Sequence, residues 1–157
     1  VSGSEGEDRF YVMSLSDFIT DSRTTFCWYD AMDSDVTTPT STAFGQGEAN
    51  TAKMITQWNA GAYGTKDSNG TGTDVWGVIQ TKVIEGWFVP SRGEWWAFGD
   101  NLNVSTSNFI PPYGLSTAYW SSSQKSAGVI WDAATAACLI GSASVGEELS
   151  VRLSTIF

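Results

Sequence analysis

The chain has no histidine, two cysteines, four prolines and eight basic residues among its 157. Without histidine, Ser-His and Cys-His nucleophile systems and His-bearing metal sites are excluded. Cys27 and Cys138 fit no metal-ligand spacing, and one pair makes no disulfide scaffold, so no structural bridge is expected. Eight Lys and Arg against 17 Asp and Glu give a formal charge of -9. A chain so acidic lacks the basic patch that phosphate backbones require and is repelled by anionic headgroups, so neither nucleic acid nor a membrane surface is an expected partner. No apolar run approaches bilayer-spanning length, and the opening "VSGSEGEDRF" lacks the basic start and apolar core of a signal peptide. No membrane insertion is expected.

What the chain does have is 8 Trp, 8 Phe, 5 Tyr and 16 Gly, with only 16% charged residues. Large aromatic side chains framed by many turns suit a loop-rich α+β fold better than a helix bundle. The length suits one domain over residues 1–157.

Strand-like pieces stand at Phe10 to Leu15 and Thr24 to Met32, both rich in β-favouring residues. Ala52, Ile55 and Trp58 recur at helical spacing, with Gly61 beyond them, which predicts a helix from about Ala49 to Asn59. Asp74 to Ile84 suits either a strand or a helix capped by Asp74; a helix is the preferred reading. Ser91 and Glu94 have capping-box spacing, so a helix should run from Arg92 to about Asn101 with Trp95, Phe98 and Leu102 on one face. "AYWSSSQ" begins a strand at Tyr119 and Trp120. In the closing "SVRLSTIF", Val151, Leu153 and Thr155 alternate with Arg152, Ser154 and Ile156, the period of a half-buried strand that should pair with the N-terminal one.

The carboxylates give little chemistry. Asp67, Asn69 and Asp74 offer hard oxygens in the turn-rich "TKDSNGTGTD", but without the acidic density or terminal Glu of an EF-hand they read as a solvated loop, and no metal or other cofactor is expected. Asp33 and Asp35 could in principle share acid-base work, yet on so acidic a chain they read as solvated.

The ordered set "FGQGEANTAKMI", "GWFVPSRGEWWAFGDNL", "AYWSSSQ", a Trp and "VRL" resembles the C-type lectin-fold domains at the C-termini of bacterial collagen-like adhesins. It is also similar to many variable proteins of diversity-generating retroelements. The resemblance runs from about Phe44 to Phe157, with Val89 and Trp95 each standing where the family has Leu. It implies two main helices beside a twisted, mostly antiparallel sheet, with long loops and a framework of Trp87, Trp95, Trp96, Trp120 and Trp131 in the core.

The resemblance also implies a variable region over residues 121–152. In the family the interval corresponding to Trp131 to Arg152 has the same length and is packed with Asn, Tyr and Ser; here it is dominated by small residues. Retroelements of this class mutate their template at adenines, so Asn codons become NNY codons, which encode Ala, Gly, Ser, Leu, Val and Asp but never Trp, Lys, Gln, Glu or Met. Most of the interval obeys that restriction, whereas Lys125, Glu147 and Glu148 need other templates. The implied contact set is Lys125, Gly128, Val129, Asp132, Ala134, Ala137, Leu139, Gly141, Ser142, Ala143, Gly146, Glu147, Leu149 and Ser150.

The implied function is binding: a diversifiable protein on a virus particle or cell surface that recognises a protein or glycan on a host or neighbouring cell, and not an enzyme. Two alternatives stand beside it. One is an invariant adhesin or carbohydrate-binding domain. The other is a formylglycine-generating type of enzyme, a distant resemblance whose neighbouring cysteine pair is unmatched by Cys27 and Cys138. The "EPN" and "QPD" motifs of calcium-dependent sugar binding are absent from the sequence.

Overall fold

The computed structural model describes residues 9–27, 40–62, 74–105, 107–110, 112–116, 118–124, 130–135, 140–144 and 146–157. Within them the chain is α+β, in the order β1 (Tyr11–Met13), β2 (Phe26–Cys27), α1 (Gly47–Asn59), α2 (Val75–Val78), α3 (Gln80–Ile84), α4 (Arg92–Asn101), β3 (Ala118–Gln124), β4 (Ile130–Thr135), β5 (Ile140–Ser144), β6 (Glu148–Leu149) and β7 (Ser154–Ile156). One continuous sheet was expected; the described strands instead form three small antiparallel sheets, β1-β7, β2-β6 and β3-β4-β5. The expected pairing of the terminal strands is present, with Val12 opposite Thr155.

Helix α4 starts as its sequence predicts. Ser91 is extended, its Oγ accepts from the Glu94 amide at 3.2 Å, and the Glu94 carboxylate accepts from the Ser91 amide at 2.7 Å. Helix α1 begins at Gly47, two residues before the expected Ala49, after Gln46, whose side chain makes no cap. Its first amide is met from outside the helix: Gly47 N–H donates to Glu94 Oε1 at 3.1 Å. One buried carboxylate therefore serves the first turns of both long helices. Gly61, at φ +73°, takes the left-handed conformation just beyond the end of α1.

The 74–84 segment is helical but interrupted at Ile79, giving two short helices. Asp74 occupies the N-cap position without capping; its Oδ2 accepts from Trp58 Nε1 at 3.0 Å and ties α1 to α2.

Two clusters make the core. The larger holds Phe26, Met54, Val75, Trp76, Ile79, Val89, Trp120, Ala143, Val151 and Leu153; the smaller holds Trp95, Leu115 and Tyr119. Trp95 and Trp120 are fully buried and Trp87 packs at the edge of the larger cluster, as framework residues should. Trp96 corrects that expectation: it is 66% exposed, because its neighbour Trp95 takes the inward face of α4. Leu102 lies past the helix end and is exposed too. The alternation expected at the C-terminus also fails. Residues 151–155 are all buried, because Arg152 meets an internal ion-pair partner and the Ser154 main chain bonds in both directions to Phe88. Cys27 is buried and its Sγ donates to Gly146 O at 3.4 Å; Cys138 lies outside the described residues.

Candidate functional site

Strands β4 and β5 form an antiparallel hairpin laid against β3. The register sets Trp131 opposite Ala143, Asp132 opposite Ser142, Ala133 opposite Gly141 and Ala134 opposite Ile140. On the other side of β4, Trp120 stands opposite Ala133 and Tyr119 opposite Ala134. Cross-strand partners share a face and successive residues alternate. Trp120 and Ala143, both in the larger core cluster, thus mark one face, and Tyr119 lies on the opposite one. At Tyr119 that second face meets α4, where the Trp95 and Tyr119 rings stack at 4.8 Å.

The strands flanking the hairpin are held by bonds that only particular side chains can make. Trp120 Nε1 donates to Phe26 O at 2.6 Å, and Trp95 Nε1 donates to Trp120 O at 3.1 Å. Ser121, Ser122 and Ser123 are fully buried; Ser123 Oγ accepts from the Arg92 amide at 3.0 Å and donates to Ser41 O at 2.9 Å. The start of the 121–152 interval is therefore interior.

At the other flank Arg152, itself buried, pairs with Asp17 Oδ1 at 2.6 Å and donates to Tyr113 O and Gly114 O. Asp17 also accepts from the hydroxyls of Tyr119 and Ser116. Burial pushes the Tyr119 phenol above its ordinary range, so it stays a donor to Asp17.

The structure sorts the sequence-derived contact residues into groups. Gly146 and Glu147 are exposed in the turn after β5, where Glu147 Oε1 accepts from the Ser144 amide at 2.8 Å. Gly141 is half-buried. Asp132, Ala134 and Ser142 are placed by main-chain register on the hairpin. Lys125, Gly128, Val129, Ala137 and Leu139 lie outside the described residues.

Three members need correcting. Ala143 is 5% exposed inside the larger cluster, and Ser150 is 7% exposed, with its amide and carbonyl bonded to Ala118 and Trp120. Leu149 is half-buried against the larger cluster. The resemblance places these small or apolar residues at the surface, whereas Ala143 joins the hairpin to the core and Leu149 and Ser150 pack inward at and after β6. Conversely, Ser144 and Glu148, outside that set, are exposed; Glu148 pairs with Arg23 at 3.1 Å and accepts from Thr25. No local pattern in the sequence separates them from their neighbours.

Of the candidate cation ligands, Asp74 is 1% exposed and committed to Trp58, which removes it from any open site. Asp67 and Asn69, like Asp33 and Asp35, lie outside the described residues. Among the described residues no group of three His, Cys, Asp or Glu side chains could hold a metal ion. None of their helices is long and apolar enough to cross a membrane. The chain matches no protein-family model and no curated protein.

Proposed function

We propose that this chain is a ligand-binding domain of C-type lectin type whose β4–β5 hairpin and adjoining turns form a surface diversified by a retroelement. Displayed on a virus particle or cell, it recognises a protein or glycan on a host or neighbouring cell, and it catalyses nothing. The contact surface is drawn from Lys125, Gly128, Val129, Asp132, Ala134, Ala137, Leu139, Gly141, Ser142, Gly146 and Glu147, leaving out Ala143, Leu149 and Ser150, which pack inward.

The observation that carries this reading is a division of labour. The flanks at Trp120 to Ser123 and at Arg152 are fixed by side-chain hydrogen bonds that a substitution would break, whereas the hairpin is registered by main-chain pairing that every residue except proline can supply. Such a frame tolerates change on its hairpin because surface substitutions seldom cost more than about 0.5 kcal/mol.

Two measurements test the reading. A library with NNY codons at Gly128, Asp132, Ala134, Ser142 and Gly146 should leave most members folded, melting within roughly 5–10 °C of the parent. A library of largely unfolded members would make the hairpin structural and end the proposal. In the encoding DNA, a near-copy of the Ser121 to Arg152 codons, differing at adenines and close to a reverse transcriptase gene, should be present; without it diversification falls and a fixed adhesin takes its place.

A further inference from the structure

A second feature lies away from the hairpin and independent of it. Among the described residues strand β1 pairs with β7 on one side only. Phe10 and Phe157 exchange both main-chain hydrogen bonds, and the Ser14 amide donates to Leu153 O, so Val12 faces β7 through its polar groups and Tyr11 and Met13 turn theirs outward. No bond from those outward groups to any described residue is present. This open edge borders a cavity of about 450 Å³ whose opposite wall is the last turns of α4, at Ala97, Phe98 and Leu102, with Phe44 closing one side.

The walls are mostly apolar, and the rings stand unusually open to solvent: Phe10 is 65% exposed and Phe44 37%, with Trp96 just beyond on the same helix. Exposed apolar surface concentrated in one concave place is the mark of a binding surface. Arg9, at one end, is the only ionised residue among the described residues lining the cavity, in a chain whose formal charge is -9.

We propose that this groove binds an extended peptide segment, which adds as a strand to the free edge of β1, sets alternate apolar side chains against Phe44, Phe98 and Leu102, and places a carboxylate beside Arg9. Main-chain bonding to the Tyr11 and Met13 groups supplies affinity, and the apolar walls supply selectivity. An acidic second copy is the weaker occupant, because two such chains repel one another while Arg9 attracts a carboxylate.

The test is selection of a phage-displayed random dodecapeptide library on the full chain, followed by titration of the selected peptides, made synthetically and fluorescently labelled. Selected peptides should carry alternating apolar residues and an acidic residue or free carboxyl terminus. Met13→Pro removes one outward N–H while leaving the β1–β7 bonds in place, and proline is tolerated at such an edge. It should weaken binding at least tenfold, Ala97→Phe should do the same by filling the groove, and Arg9→Glu should cost several-fold, the last two with unchanged melting temperature and Met13→Pro with a lower one, because Met13 also packs against the Trp95, Leu115 and Tyr119 cluster. Should Met13→Pro unfold the chain, the other two variants decide. The proposal is overturned if no peptide is selected, if the folded variants bind as tightly as the parent, or if sedimentation shows a dimer that these variants dissociate.

Discussion

Replacing Glu94 should be more damaging than removing any other cap in the molecule, because its carboxylate closes the first turn of its own helix and also that of α1. Glu94 has no solvent exposure, Oε2 accepts from the Ser91 amide at 2.7 Å and Oε1 from the Gly47 amide at 3.1 Å. Glu94→Ala leaves two buried amides without acceptors. Each hydrogen bond to a charged acceptor contributes about 1.5–3 kcal/mol, and release of a buried carboxylate offsets part of the loss, so the net destabilisation should be about 2–4 kcal/mol. Urea denaturation followed by fluorescence of the adjacent buried Trp95 measures it. A loss under about 0.5 kcal/mol would mean the two amides find other acceptors, and the linkage between the helices would be refuted.

The same residue makes a signed pH prediction. Burial raises the Glu94 pKa above its ordinary 4.5, overriding the amide bonds from Ser91 and Gly47 that favour the anion. The folded chain therefore holds this proton more tightly than the unfolded one. Its contribution to stability is fully present below the unfolded value and lost as pH rises through the raised one. Glu94→Gln, which cannot titrate, should be most destabilised relative to the parent at the acid end, with the gap narrowing as pH rises through that window. A gap that widens with pH would show that the hydrogen bonds, and not burial, dominate.

Three further perturbations follow from the frame. Arg152→Met should cost about 3–5 kcal/mol, because it strands Asp17 among buried partners, and Asp17→Asn combined with it should cost less than the sum in a double-mutant cycle by urea denaturation. Trp120→Phe should lose about 2–4 kcal/mol through the lost bond to Phe26 O and the smaller ring, while Trp96→Gln should stay within about 0.5 kcal/mol, both read by thermal denaturation. Gly93→Ala would set a Cβ 2.8 Å from the Ala43 carbonyl carbon and from Thr42 O, both main chain, so the 42–44 loop must separate from α4; a melting temperature several degrees below the parent is expected.

How much of this was legible from sequence depended on how local the physics is. The Ser91 and Glu94 pair announces α4, because a capping box is written within four residues. The apolar period marks helix α1 but starts it two residues late, since the group that completes its first turn is supplied by another helix, 47 residues on. Trp95 and Trp96 are adjacent and chemically identical, and only the rotation of α4 relative to the sheet assigns one to the core and the other to solvent. Arg152 and Ser123 are polar yet buried, and their burial depends on partners at Asp17, Ser41 and Arg92 that no short pattern encodes. In the 121–152 interval, Ala143 and Ser150 cannot be told from their small neighbours, because what separates them is strand pairing and not residue type.

That last point also bears on how a binding surface could vary without loss of the fold. The residues between Gln124 and Glu148 contribute one described side chain, Ala143, to the core clusters. The costly interactions lie elsewhere: in the indole bonds of Trp95 and Trp120, the carboxylate of Glu94 and the guanidinium of Arg152. Substitutions at exposed positions such as Gly146 and Glu147 therefore act on terms of tenths of a kcal/mol, while the frame rests on terms of several. The prediction separating this arrangement from an ordinary surface loop is positional. Ala143→Asn should destabilise the chain by about 2 kcal/mol or more, by burying an amide without partners and overfilling a packed site, whereas Gly146→Asn, at an exposed turn where an added Cβ meets nothing within 4 Å, should be nearly neutral. Equal effects at the two positions in urea denaturation would remove the distinction between frame and hairpin surface.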